Sequence, residues 1–385
     1  MLTRLFQAPD TSFFLFGPRG CGKTTWHRDY YKSQSVVFDL LNADLFRELS
    51  SNPELLKKRI AADTGHTVFI LDEIQRIPEL LPVIHSIISE QKNLQFVLTG
   101  SNARKLKRHG VDLLAGRALL NKMHPFIAAE LKETFNLNDA LKTGLIPLIY
   151  TDKDPQARLK SYVSLYIQEE VNYEGLVRNI GNFNRFLQSI TFSHGNILNI
   201  STIARDCQVE RKAVENYISV LEDLLLVRKL YPFQKRAKRR VIDHPKLYFF
   251  DAGVFNFLRP KGLLDYPETI AGTALEGLVE NHLRAWIDYS GSDADCFFWR
   301  TPAGTEVDFV VYGKNIFVAL EVKNTSRVRM EDLRGLKAFC GDYPEATGIL
   351  LFRGEHRQKE GNILCVPVEE FLKNLDPNKD FPHRP

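Results

Sequence analysis

The chain has 385 residues, 44% of them hydrophobic and 25% charged, a composition that excludes fibrous, disordered and disulfide-stapled classes. Its length exceeds what one hydrophobic core fills, so about two to four domains are expected. A net charge of +4 permits a nucleic-acid partner without arguing for one. Five scattered cysteines in no metal-binding spacing fit a reduced, cytoplasmic protein.

In chain order, the apolar run Phe13–Phe16 predicts a buried strand, and Gly17–Pro18–Arg19–Gly20–Cys21–Gly22–Lys23–Thr24 follows it without a gap. The spacing is that of a phosphate-binding P-loop. Its glycines free backbone N–H groups to wrap a phosphate, Lys23 reaches the β and γ oxygens, and Thr24 ligates Mg²⁺. The expected nucleotide contacts are Gly17, Gly20, Cys21, Gly22, Lys23, Thr24 and Thr25, and the expected cofactors are ATP and Mg²⁺.

Further apolar strands are expected at 36–40, 67–73 and 95–101. The second ends in Asp72–Glu73, the pattern in which an aspartate holds the Mg²⁺ shell and a glutamate polarises the attacking water. The strand at 36–40 comes between the P-loop and Asp72 in the chain. With a glutamate directly after the aspartate, this resembles the AAA-type branch of P-loop ATPases. The third strand runs into Thr99–Gly100–Ser101–Asn102, and Asn102 or Ser101 is the expected γ-phosphate sensor. Arg117 is the candidate arginine finger reaching a neighbouring subunit's nucleotide, with Arg104 and Arg108 as alternatives and a plain surface arginine as the bland reading.

From 127 to 195 the periodicity turns helical, as expected of a lid. Residues 196–265 predict a winged helix–turn–helix: a short helix at 202–207 capped by Ser201, a turn at Gln208–Val209, a helix at 210–223, then a hairpin. The second helix presents Arg211 and Lys212 among acidic and neutral residues. The hairpin tip gathers Lys235, Arg236, Lys238, Arg239 and Arg240, a cluster suited to backbone-dominated binding of duplex or branched DNA. Winged helices also dock proteins, so that reading stays open.

Residues 266–375 predict a helix, a strand and a returning strand. In EVDFVVYGKNIFVALEVK, pairing Gly313 with Ile316 sets Asp308 opposite Glu321, and Lys323 shares the face of Glu321. Facing carboxylates with a nearby lysine can hold a cation and stabilise a phosphate transition state, with Glu276 from the helix as a further ligand. The alternative is a structural salt bridge. Residues 376–385 are expected to fray.

Together with LAGR (114–117), KLYFFDAGV (246–254) and ALEGLVE (274–280), these motifs are similar to prokaryotic AAA-type ATPases carrying a C-terminal domain of unknown function 4143. The resemblance implies an α/β chain with an AAA-type ATPase core (1–126), a helical lid (127–195), a winged helix–turn–helix (196–265), a restriction-endonuclease-like PD-(D/E)-x-K domain (266–375) and a tail (376–385). It maps the catalytic roles onto Lys23, Glu73, Asn102 and Arg117, the metal shell onto Thr24 and Asp72, and the nuclease-like motif onto Asp308, Glu321 and Lys323. It also implies a homo-oligomer, a hexameric ring being one form. No leader pattern and no membrane-spanning run are read. The expected function is an ATP-hydrolysing DNA motor or remodeller; an ATP-gated Mg²⁺-dependent nuclease, or a nucleotide switch with a protein partner, are the alternatives.

Overall fold

The computed structural model describes residues 2–101, 114, 116–167, 179–235, 237 and 241–382. The chain forms two compact units. One takes Phe6–His124 with Asp223–Leu225, and the other takes Met1–Leu5, Pro125–Glu222 and Leu226–Pro385.

In the first unit β1 (Phe13–Phe16), β2 (Ser35–Asp39), β3 (Val68–Asp72), β4 (Gln95–Gly100) and β5 (Leu119–Lys122) form a parallel sheet in the order β2-β3-β4-β1-β5. The inner strands β1, β3 and β4 are almost wholly buried, which is why they read as unbroken apolar runs rather than as alternation. Although β2 follows β1 in the chain, it sits at the sheet edge, and β4 lies between β1 and β3. The carboxyl ends of β1, β4 and β3 therefore stand side by side, where open α/β sheets bind ligands.

The second unit opens with helices at Leu137–Thr143, Pro155–Ser161 and Ile180–Ile190. Helices Ile200–Cys207 and Arg211–Asp223 follow, separated by Gln208 in a left-handed conformation. The cap of the first of this pair is Asn199, whose side chain accepts the Thr202 N–H at 3.1 Å, and not Ser201, which lies inside the helix. Asn is as good a cap as Ser and stands at the residue where the backbone is still extended. Strands β6 (Val227–Leu230) and β7 (Lys246–Phe249) pair antiparallel.

A six-stranded mixed sheet completes this unit: β8 (Asp295–Arg300), β9 (Glu306–Gly313), β10 (Ile316–Val322), β11 (Thr347–Phe352), β12 (Gln358–Glu360) and β13 (Ile363–Pro367), ordered β12-β13-β11-β10-β9-β8. It is larger than the two expected strands, and CFFWR belongs to a strand of its own, β8, turned back at Thr301–Thr305. Between β6 and β7, Tyr231, Phe233 and Ile242 bond to β8. Phe233 N–H donates to Phe298 O at 2.6 Å, Phe298 N–H to Tyr231 O at 3.1 Å, and Ile242 N–H to Arg300 O at 3.1 Å. Phe233 is buried among Phe297, Tyr312, Phe317, Phe339 and Tyr343, all with ring centroids within 6.0 Å of its own.

The helix Pro267–Ser290 starts five residues before the amphipathic stretch read from 272, since Pro267 is well placed in a first turn. The expected frayed tail is pinned at Phe381, 5% exposed, whose ring meets Trp286 at 5.1 Å and Phe371 at 5.8 Å. Among the described residues no helix is long and apolar enough to cross a membrane.

Candidate functional site

The loop after β1 turns through Gly20 and Gly22, at φ +83° and +85°, a region that costs other residues strain. Gly22 then leads into the helix Lys23–Tyr31. Lys23 is buried, its Nζ donating to Gly17 O at 2.7 Å and Pro18 O at 3.4 Å, so the loop's own carbonyls hold the ammonium at the mouth of the cradle. Thr24 Oγ1 donates to Asp72 Oδ2 at 2.8 Å, and Thr99 Oγ1 donates to Asp72 Oδ1. His27, one helical turn beyond Thr24 and fully buried, sets its Nε2 3.6 Å from Asp72 Oδ2. Burial pushes the Asp72 carboxyl up, but the His27 imidazole and the Thr99 and Thr24 hydroxyls outweigh it and hold it down at about 2. Asp72 is thus an anion at any working pH. An anionic carboxylate beside a threonine hydroxyl and a lysine is a donor set that fits a magnesium nucleotide.

Glu73 follows in a left-handed conformation, φ +64°. Its N–H donates to Thr99 Oγ1 at 3.3 Å, and its carboxylate accepts from Gln75 Nε2. Gln75 Nε2 also donates to Ser101 Oγ at 3.2 Å, tying Glu73 to the end of β4. Gln75 escaped the sequence reading because a glutamine after an acidic pair is ordinary turn composition. Arg117 lies two residues before β5, exposed, with its NH1 3.0 Å from His85 Nδ1. Thr25 is exposed and Cys21 buried. Asn102, Arg104 and Arg108 lie outside the described residues.

The second unit gathers Glu276, Asp308, Glu321 and Lys323 around one cavity of ≈ 420 Å³. The β9–β10 register pairs Gly313 with Ile316 and runs to Phe309 and Leu320, one step short of Asp308 and Glu321. There the ladder gives way to a side chain: Val322 N–H donates to Asp308 Oδ2 at 2.8 Å. Lys323 Nζ donates to Glu321 Oε1 at 2.6 Å, whereas Glu321 Oε2 is buried with no hydrogen-bond partner among the described residues.

Three residues missed in the sequence complete the cluster. Lys246 of β7, 2% exposed, places Nζ 3.1 Å from Glu276 Oε1 and 3.8 Å from Asp308 Oδ1, and against Glu306 Oε1. Tyr248 OH donates to Glu276 Oε1 at 2.5 Å. Glu306 also pairs with Arg300 NH1 at 3.2 Å. The available signal was the opening of KLYFF: a lysine and a tyrosine two apart share one face of an otherwise apolar strand. Burial drives the Asp308 carboxyl well above the usual carboxylate range, reinforced by Glu321 and Glu276. Burial likewise lifts Glu321 to about 7, with Lys323 and Lys246 opposing.

Of the residues expected at DNA, Arg211 is exposed and ion-paired on its own helix, its Nε 3.1 Å from Glu215 Oε1. Lys212 is exposed, and the ammonium of Lys235 stands 4.4 Å from the Tyr312 ring centroid. Arg236, Lys238, Arg239 and Arg240 lie outside the described residues. Glu280 turns away from the cavity to Arg228, 2.9 Å from its NH2.

Among known proteins, the family described as "AAA domain" matches residues 10–132. Two families described as domains of unknown function follow, DUF8612 over residues 134–264 and DUF4143 over 271–371. Uncharacterized proteins of Mycobacterium tuberculosis and Mycobacterium bovis are each 25% identical over 371 residues, 93% of this chain and 80% of theirs. An uncharacterized protein of Haemophilus influenzae is 22% identical over 66% of this chain and 71% of its own. Among solved structures, AMPPCP-bound DnaA from Aquifex aeolicus matches with a TM-score of 0.26 and 16% identity, over 55% of this chain and 82% of that one.

Proposed function

We propose that the chain hydrolyses ATP in its first unit and uses the cycle to act on duplex or branched DNA held by its second, working as a homo-oligomer. The observation that carries the reading is the Thr24–Asp72 pair at 2.8 Å with Glu73 next to it and Lys23 in the adjoining loop. In this reading Lys23 exchanges its carbonyl partners for the β and γ phosphates. Thr24 and Asp72 would hold Mg²⁺, which would supply positive charge against the phosphates. Glu73 orients and deprotonates water once Gln75 releases it. Ser101 or Asn102 reports the γ-phosphate, and Arg117 leaves His85 for the neighbour's nucleotide. The DNA half of the proposal is supported by the basic run from Lys235 to Arg240 in the β6–β7 connection and by exposed Arg211 and Lys212.

The test is the steady-state ATPase rate without DNA and with single-stranded, duplex and four-way-junction DNA, each reaction also run on a denaturing gel. Stimulation with intact DNA is the expected result, with Glu73→Gln binding ATP but losing turnover on the order of 10²-fold or more. A chain that turns over ATP indifferently to all nucleic acid is a switch for a protein partner, and normal hydrolysis by Glu73→Gln removes the site assignment itself.

A further inference from the structure

A two-carboxylate nuclease site needs Asp308 and Glu321 to converge, unencumbered, on one divalent cation. Here one oxygen of each is already engaged, and Glu321 Oε2 is left buried without a hydrogen-bond partner among the described residues. Asp308 gives Oδ2 to the Val322 amide, Glu321 gives Oε1 to Lys323, and Glu276 Oε1 accepts from both Lys246 and Tyr248. Among the described residues no three His, Cys, Asp or Glu side chains stand as a group that could hold a metal ion. The Lys246 ammonium stands instead among Glu276, Glu306 and Asp308, within 3.8 Å of all three.

That ammonium has nowhere to go. Lys246 is buried on a paired strand, with Leu230 opposite it across the β6–β7 ladder and the Phe298 ring 5.6 Å from Nζ. Moving it out would leave Glu276 and Asp308 without their ammonium and Glu306 with Arg300 alone in a low-dielectric pocket, a larger cost than keeping the charge paired. We infer that Lys246 is a built-in counter-ion standing where a divalent cation would sit, so that the C-terminal pocket is a metal-free charge network rather than a metal-dependent nuclease centre. The lysine comes from the β6–β7 hairpin and the carboxylates from the six-stranded sheet and its helix, so the network joins the two.

The experiment is a Mn²⁺ titration of the nucleotide-free full chain, following free Mn²⁺ by electron paramagnetic resonance. Wild type and Glu321→Gln should bind the same number of ions, since ions held elsewhere count equally in both. Lys246→Met should gain one ion per chain, and Lys246→Met combined with Glu321→Gln should lose it again. An ion bound by wild type and lost in Glu321→Gln overturns the inference, and so does a folded Lys246→Met that gains nothing. If Lys246→Met does not fold, the comparison of wild type with Glu321→Gln still decides.

Discussion

Truncating Phe233 to alanine tests how firmly the β6–β7 connection is fixed. The ring is 1% exposed and meets five aromatic neighbours. A buried phenylalanine removes about 200 Å² from water, which at about 25 cal/mol per Å² gives about 5 kcal/mol, and core Phe→Ala changes cost about 3–5 kcal/mol. A loss of about 4 kcal/mol is therefore expected, confined to the second unit. The change also frees the segment whose Phe233 N–H and Tyr231 O bond to β8. Urea unfolding read by hydrogen exchange separates the units: Phe298 should lose protection while β1 and β3 keep theirs. Basal ATPase should persist and DNA stimulation should fall, because Lys235 rests on the same Tyr312 ring that packs against Phe233. A loss below about 1 kcal/mol with β8 protection unchanged would refute the reasoning.

Other changes probe the remaining parts. Gln75→Leu keeps volume but releases the Glu73 carboxylate, and a hydrogen bond to a charged group of about 1.5 kcal/mol corresponds to a basal ATPase up to about tenfold higher; an unchanged rate in a coupled assay means the contact is idle. Gly144→Ala places a methyl inside the Asp251 carboxylate at a residue with φ +80°, so thermal unfolding should show a loss of about 3 kcal/mol or more. Asp251 itself sets a pH dependence. Burial lifts its carboxyl to about 6 against the bonds it accepts from Leu145, Val254 and Gly253 N–H groups. A raised carboxyl contributes stability that is complete below its unfolded value near 3.8 and is lost as pH rises through 6. The stability of wild type relative to Asp251→Asn should thus rise by about 2 kcal/mol as pH falls from about 7 to 4, measured by urea melts, and a flat difference contradicts that ionisation.

The P-loop strand, Asp72–Glu73 and the Gly313–Ile316 register were legible because each is set by contiguous residues: an apolar run, a fixed loop spacing, a two-residue turn. What escaped is set by residues distant in the chain. Lys246 and Glu306 meet only because β7 packs beside β9, and no local periodicity carries that information. β8 was absorbed into its neighbour although Pro302 and Gly304 mark the turn after it, because the apolar, aromatic residues on both sides read as one run. The tail read as polar from DPNKD, and the single Phe381 that anchors it had no partner in its own stretch of sequence.

The first five residues belong to the unit that is otherwise made last. Arg4 Nε bonds Glu130 Oε1 at 2.9 Å, its NH2 bonds Tyr289 OH at 3.0 Å, and Leu5 N–H donates to the same Glu130 oxygen at 2.8 Å. On the ribosome the chain emerges from its N-terminus at about 5–20 residues per second, so nearly the whole P-loop unit is out and able to fold well before Tyr289 is synthesised. Arg4 waits through that interval with one partner missing. The residues just before the nucleotide-binding unit are thus collected only after that unit has been made.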